Sequence, residues 1–178
     1  MIPFAGDKNQ IVQEWQEAPR VDQVIKDALN HQDVEKVTLL IDELKEQLRM
    51  SSMMYLSKSC VCSPVNYKFS FNDEKEILID GYIDMTFVNS FYIAEQITFF
   101  DQEWRFQDVP LNFIVYRALK YCVNNNSDFE LLVNLAGITR EEVEQYDSAE
   151  TMMLQNMMDV RKCNMFDPGM YHDALTLE

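Results

Sequence analysis

The chain has 178 residues, of which 47% are apolar, so it is long enough to form one domain with a substantial core. It carries 15 Lys and Arg against 30 Asp and Glu, a formal charge of 15 − 30 = −15, with only two histidines and four glycines. This composition disfavours a glycine-rich phosphate-binding loop, a histidine general base and direct binding of nucleic acid.

The start of the chain and its hydropathy favour an intracellular protein. Met1 to Gln10 contain no basic segment followed by an apolar one, so no signal peptide is predicted. The most apolar zone, Ile77 to Phe100, is interrupted by acidic residues such as Asp80 and Asp84. We therefore expect no membrane contact and a cytoplasmic location, or a virion if the protein is viral.

The N-terminal part is predicted to be helical. Asn9 would cap a short helix that carries Ile11, Val12 and Trp15 and ends before Pro19. Two longer amphipathic helices, separated by a turn at residues 30–32, then form an antiparallel hairpin. The predicted buried positions of the first helix are Val21, Val24, Ile25, Ala28 and Leu29. Asp33 would cap the second helix, whose predicted buried positions are Val34, Val37, Ile41, Leu44 and Leu48.

The middle of the chain predicts a small antiparallel sheet of three or four strands. Aromatic and polar residues alternate over 67–72, and further strands are expected over residues 77–87, 91–100 and 103–106. The alternation slips at Gly81, which predicts a β-bulge there. Asp80 and Asp84 alternate with apolar residues, so we expect both on a solvated strand face.

The last third predicts helices again. A stripe begins after Pro110 and consists of Leu111, Ile114, Val115, Ala118, Leu119 and Cys122. Capping residues predict three further helices: a capping box of Ser127 and Glu130 with a stop at Gly137, a second box of Thr139 and Glu142, and a cap at Ser148 for a helix that runs to about Cys163.

These elements predict an α+β fold with an N-terminal helical hairpin, a central small antiparallel sheet and C-terminal helices packed on it. Residues 1–178 would form a single domain, with 1–8 and 164–178 as extended arms.

Residues 129–146 have the layout of a helix-turn-helix. The second helix, however, would expose Glu141, Glu142 and Glu144, so carboxylates would face the phosphates of DNA. We expect a structural corner that does not bind DNA.

Two patterns are compatible with metal chemistry. Gly81-Tyr82-Ile83-Asp84 resembles the Gly-x-x-Asp of some nucleases with a carboxylate–metal site, but Ile97 stands two residues after the candidate acid Glu95, where those enzymes have a lysine. The cysteines Cys60, Cys62, Cys122 and Cys163 contain only one close pair, with one intervening residue, so a zinc site is not expected. Cys122 is expected in the core.

A methionine cluster is the candidate partner-binding surface. Met152, Met153, Met157 and Met158 would give one helix a soft, adaptable face, although ordinary core packing explains the same spacing. The C-terminal arm adds the apolar anchors Phe166 and Tyr171.

We therefore expect a non-enzymatic protein–protein interaction or assembly component of a larger complex, with a viral structural, connector or assembly protein as one setting. Its partners would be proteins, including copies of itself, and no catalytic residue, cofactor or metal is predicted. An acidic nucleic-acid mimic that inhibits a DNA- or RNA-binding protein is one alternative. A metal-dependent nuclease is the other.

Overall fold

A computed structural model describes residues 4–6, 11–13, 17–53, 76–100 and 104–164, with side chains described over 17–52, 76–100 and 104–157. Within these ranges the helices are α1 (Val21–Asn30), α2 (Val34–Met53), α3 (Leu111–Cys122), α4 (Asn126–Leu135) and α5 (Arg140–Asn164). The strands are β1 (Phe4–Gly6), β2 (Ile11–Gln13), β3 (Ile77–Tyr82), β4 (Ser90–Ile93), β5 (Gln96–Phe99) and β6 (Arg105–Pro110). The predicted α+β order of helices, small antiparallel strands and helices is confirmed. The strand predicted over residues 67–72 lies outside the described residues.

The predicted helical hairpin is confirmed. Asp33 caps α2, because its Oδ1 accepts a hydrogen bond of 3.0 Å from the backbone N–H of Lys36. The turn between α1 and α2 is closed by Gln32, whose φ is +57°. Of the predicted stripe of α2, only Val34 is exposed, and the other four residues are buried.

The short helix predicted after Asn9 is wrong. Ile11–Gln13 is a β-strand that pairs antiparallel with Phe4–Gly6. The adjacent β-branched residues Ile11 and Val12 favour an extended backbone, and the pairing with β1 stabilises this conformation.

The four central strands form two separate antiparallel pairs, β3 with β6 and β4 with β5, rather than one continuous sheet. The turn between β4 and β5 consists of Ala94 and Glu95, with φ angles of +49° and +61°. Two consecutive residues with positive φ are typical of the tight turns whose twist suits a hairpin.

The bulge predicted at Gly81 is wrong, because the register of β3 with β6 is constant from Ile77↔Pro110 to Tyr82↔Arg105. The one interruption in this register is between Ile79 and Asp108, which lie opposite each other but are not paired, and Asp108 has a φ of +53°. Gly81 is required for a different reason. A Cβ atom at this position would lie 2.8 Å from Val109 Cβ, so only glycine allows the two strands and α3 to approach this closely.

The solvated position predicted for Asp80 is also wrong. Asp80 is only 8% exposed, whereas Ile79 next to it is 71% exposed. Strand β3 thus turns Leu78 and Asp80 inward and its isoleucines outward. Arg105 on β6 makes this orientation possible, because its Nε lies 3.7 Å from Asp80 Oδ1 and supplies a buried counter-charge.

Helix α3 is the centre of the fold. Its predicted stripe is buried, and Phe113, Tyr116 and Arg117 on its other sides are buried as well. The helix packs against α1, α2, α4, α5, β3 and β6. A helix that is buried on nearly all sides organises the core of a small domain.

The cap of α4 and the cap predicted at Ser148 differ from the prediction, whereas the start of α5 agrees with it. Asn125, rather than Ser127, caps α4 by accepting the N–H of Asp128 at 2.8 Å. The capping box of Thr139 and Glu142 is confirmed, and Gly137 ends α4 with a φ of +71°. The cap predicted at Ser148 is wrong because α5 is continuous through this residue.

Candidate functional site

A cluster of polar side chains joins α3 to α5. Glu150 on α5 is 2% exposed and binds Arg117 Nη1 at 2.6 Å and Lys120 Nζ at 2.7 Å. Tyr121 donates a hydrogen bond of 3.0 Å to the same carboxylate. The buried charge is therefore compensated within the fold, which is typical of a structural ion pair.

Asp147 extends this cluster toward the surface. It accepts hydrogen bonds from Lys120 and from the hydroxyl of Tyr116. Burial raises the pKa of the Tyr116 hydroxyl, and the bond to Asp147 raises it further. Burial alone would raise the pKa of Asp147, but the bonds from Lys120 and Tyr116 outweigh it and hold this pKa below its usual range. The cluster thus keeps Tyr116 protonated and Asp147 ionised at neutral pH, which suits a fixed contact rather than proton transfer.

A second buried carboxylate, Asp22, lies in the first turn of α1. Its side chain is 1% exposed, and Arg20 and Lys26 bind it at 2.8 Å and 2.9 Å. Burial opposes ionisation, but these two cations overcome it and lower the pKa of Asp22. Asp22 therefore anchors the start of α1, and both of its cations are used in the fold.

Helix α2 satisfies backbone groups of neighbouring elements along its two flanks. The N–H of Ile97 on β5 donates to Glu43 at 2.6 Å, and Gln47 donates to the carbonyl of Ile97 at 2.9 Å. Lys45 donates to the carbonyl of Ala136 at the end of α4, at 2.8 Å. Ser52 accepts the N–H of Asp80 on β3. Side chains of α2 thus make hydrogen bonds that a neighbouring strand would otherwise make with the edges of β5 and β3.

The outward side of α2 is different in character. We define the α2 outer row as Glu35, Leu39, Asp42, Glu46 and Met50, the exposed residues that lie opposite its buried stripe. Leu39 is 63% exposed and Met50 is 56% exposed. Sequence reasoning missed this row. The available signal was that Leu39 and Met50 fall outside the apolar stripe of the helix.

A groove of about 380 Å³ opens beside the α1–α2 turn. It is lined by Pro19, Val24, Asp27, Ala28, His31, Asp33, Lys36 and Tyr92. The polar groups of this groove have structural roles. Lys36 Nζ lies 5.3 Å from the centre of the Tyr92 ring, Asp33 caps α2, and His31 Nδ1 is hydrogen-bonded to the carbonyl of Asp27 at 2.7 Å.

The two carboxylates of the nuclease-like pattern lie in turns. Asp84 follows β3, and its Oδ2 accepts the N–H of Trp104 at 3.0 Å. Glu95 is exposed in the β4–β5 turn. Both positions are explained by the geometry of the strand connections.

Cys122 is buried in the core as predicted, and burial raises the pKa of its thiol to about 12. Cys60 and Cys62 lie outside the described residues, as does the side chain of Cys163. In the part of the chain that the structure describes, no group of three His, Cys, Asp or Glu side chains is arranged to hold a metal ion.

The predicted methionine surface is divided by the fold. Met153 and Met157 are buried, whereas Met152 is 60% exposed. The side chain of Met158, and Phe166 and Tyr171, lie outside the described residues. Burial of Met153 and Met157 agrees with the core interpretation of this cluster, and a role of Met152 in partner binding stays a prediction.

The predicted helix-turn-helix layout is present in α4 and α5. Tyr146 is fully buried, while Arg140 and Glu144 project from α5 with 93% and 71% of their side chains exposed. Glu142 is bound to the backbone of Thr139. The corner is therefore held by its own capping box, and its inability to bind DNA stays a prediction from its charge.

Among the described helices, none combines the length and the apolar character that crossing a membrane requires. The chain matches no protein-family model, and no curated protein or solved structure is significantly similar to it.

Proposed function

We propose that this protein is a non-enzymatic protein–protein interaction or assembly component of a larger complex. The observation that carries the proposal is a pair of exposed isoleucines on the outer face of β3. Ile77 is 46% and Ile79 71% exposed, and their spacing of two residues places both on one face of the strand. Exposed apolar side chains that lie close together mark protein interaction sites more often than single ones do.

Two contacts hold β3 against α2. The guanidinium of Arg49 binds Glu76 at 2.7 Å, and Ser52 accepts the N–H of Asp80. The two isoleucines lie between Glu76 and Asp80 along the chain. The exposed pair is therefore attached to a fixed junction of two elements.

The orientation of β3 supports this function. Burying an isoleucine side chain completely stabilises a protein by about 1.5–3 kcal/mol, and β3 forgoes most of this for Ile79 while it buries Asp80. A partner that covers the outer face of β3 would recover part of that free energy. An isolated chain does not recover this free energy, because Ile79 stays exposed to solvent.

The charged groups support a binding role in a different way. The buried carboxylates Asp22 and Glu150 are each hydrogen-bonded to two cations of the same chain. Their positions are explained by stability rather than by chemistry on a substrate. The excess of exposed acids would instead favour approach of a basic partner.

The test compares complexes of the full chain at about 50 mM and about 500 mM NaCl. Size exclusion with light scattering measures self-association, and affinity purification from the source cells measures partner retention. An apolar interface keeps its complex at high salt, and Ile79→Lys disrupts that complex. Leu131→Lys, which changes an exposed apolar residue of α4, is the matched control and leaves it intact.

The absence of a self-complex and of a retained partner at both salt concentrations would contradict the proposal. A complex that Ile79→Lys and Leu131→Lys affect equally would contradict the outer face of β3 as its contact surface. A complex that dissociates at high salt, and that neither Ile79→Lys nor Leu39→Lys weakens, would instead support the acidic nucleic-acid mimic.

A further inference from the structure

The α2 outer row combines two apolar side chains with three carboxylates on one exposed line. Leu39 and Met50 are 11 residues apart, three helical turns, which corresponds to about 16 Å along the axis. Asp42 and Glu46 lie between them, and Glu35 lies one turn before Leu39. The row contains no cation.

The carboxylates of this row are largely unused inside the fold. Glu46 pairs with Arg49 on the same helix. In the described part of the chain, Glu35 and Asp42 make no side-chain hydrogen bond or ion pair. They differ in this respect from Asp22 and Glu150, whose charges are compensated in the core.

The helix that carries the row is held firmly on its other sides. Its buried face lies in the core, and its flanks are bonded to Ile97, Ala136 and Glu76. A partner would therefore meet a preorganised helix and would not have to order it, which lowers the entropic cost of binding.

We propose that the α2 outer row binds a basic amphipathic helix of a partner protein. This proposal rests on the proposed function and names the chemistry of the partner. Such a helix would place two apolar residues about 11 positions apart over Leu39 and Met50, and Lys or Arg beside Asp42 and Glu35.

Charge complementarity selects this occupant. A second copy of the chain would bring a charge of −15 and the same acidic row, so the two surfaces would repel each other. Nucleic acid and anionic lipid would be repelled for the same reason. A cationic helix satisfies both features of the row, because its apolar residues cover Leu39 and Met50 while its cations pair with the carboxylates.

The test uses a synthetic helical peptide of about 20 residues, with two leucines about 11 positions apart and lysines flanking them. A second peptide carries glutamate in place of every lysine. Binding to the full chain is followed by the amide chemical shifts of the isotopically labelled protein. We expect the lysine peptide to shift the amides of residues 35–50 and the glutamate peptide to leave them unchanged.

Variants then separate the two parts of the surface. Leu39→Lys weakens binding by about tenfold or more, because it removes an apolar anchor and adds a like charge. Asp42→Asn weakens binding about two- to fivefold at about 50 mM NaCl, and this difference shrinks at about 300 mM. Leu131→Lys and Glu130→Gln, matched changes on α4, alter the affinity by less than about twofold.

Three outcomes overturn the inference: no binding of the lysine peptide at about millimolar concentration, equal loss of binding in the matched controls, or amide shifts that lie outside α2. Shifts around Ile77 and Ile79 that disappear with Ile79→Lys would overturn the α2 outer row as the site and leave the proposed function standing.

Discussion

Two glycines of this chain are needed for different physical reasons. Gly81 is buried in β3, where an added Cβ would lie 2.8 Å from Val109 Cβ and 2.9 Å from Ile114 Cδ1. Gly137 has open space around it, with no atom within 4 Å of an added Cβ, but its φ of +71° is strained for other residues. Lack of space therefore disfavours other residues at position 81, and the backbone conformation disfavours them at position 137.

We expect Gly81→Ala to lower the free energy of unfolding by about 1–3 kcal/mol, because Val109 and α3 must move to admit one methyl group. Urea unfolding measures this change. Gly137→Ala is the comparison and should cost about 1 kcal/mol through strain alone. Val109→Gly removes the contacting Cβ atom, so a double-mutant cycle should show favourable coupling of Val109→Gly with Gly81→Ala and none with Gly137→Ala. Equal coupling of Val109→Gly with both variants would contradict the steric explanation.

Asp80 shows what residue patterns alone do not determine. The alternation of Ile77 and Ile79 with Leu78 and Asp80 correctly predicts a strand, but it does not determine which face of the strand points inward. The choice depends on Arg105, which reaches Asp80 from a strand about 25 residues later. Without that pairing, the sequence favours the opposite orientation, with isoleucines inside.

At the scale of elements, α2 does more than pack against the core. Its side chains Glu43 and Gln47 take the place of a neighbouring strand at Ile97, and Ser52 does so at Asp80. An unpaired strand edge favours pairing with other chains, so these contacts protect β5 and β3 from edge-to-edge association.

We expect Glu43→Ala to destabilise the fold by about 1.5–3 kcal/mol, because the N–H of Ile97 loses a charged hydrogen-bond acceptor. Hydrogen exchange of the Ile97 amide should also become faster. Glu46→Ala, one turn along the same helix, removes only an exposed ion pair and should change stability by less than about 1 kcal/mol. A similar loss of stability in both variants, with an unchanged rate of hydrogen exchange at the Ile97 amide, would contradict the role of Glu43 in protecting the strand edge.

The elements that could be predicted are those determined by local sequence. The stripe of Val21, Ile25 and Ala28 defines α1, and the reciprocal bonds of Thr139 and Glu142 define the start of α5. Ser148 misled the prediction because serine also occurs inside helices, where its hydroxyl bonds the carbonyl four residues earlier, here that of Glu144 at 3.1 Å.

The strand at Ile11 and the division of the central strands into two pairs depend on which segments meet in space. Periodicity does not report such pairings. The same limit applies to the candidate site. Sequence patterns identified the methionines of α5, but burial of Met153 and Met157 and exposure of Leu39 and Met50 are decided by tertiary packing.

At the scale of the whole molecule, the excess of 15 negative charges acts against the compact state. Like charges repel one another across the surface, and screening by salt weakens this repulsion. The most buried ion pairs, such as Arg117 with Glu150, are shielded from the solvent and respond much less to salt. The balance between these two groups of charges sets the response of stability to ionic strength.

We therefore expect NaCl to stabilise this protein at pH 7. Raising the concentration from about 20 mM to about 300 mM should increase Tm by about 2–4 °C, the shift that corresponds to about 1 kcal/mol for a chain of this size. Differential scanning calorimetry measures it. The control is the same titration near the isoelectric point of about 4.4, where net repulsion is small and the increase should disappear. A Tm that falls with added NaCl at pH 7 would mean that the attractive ion pairs, and not the excess of acids, dominate the electrostatics of the folded chain.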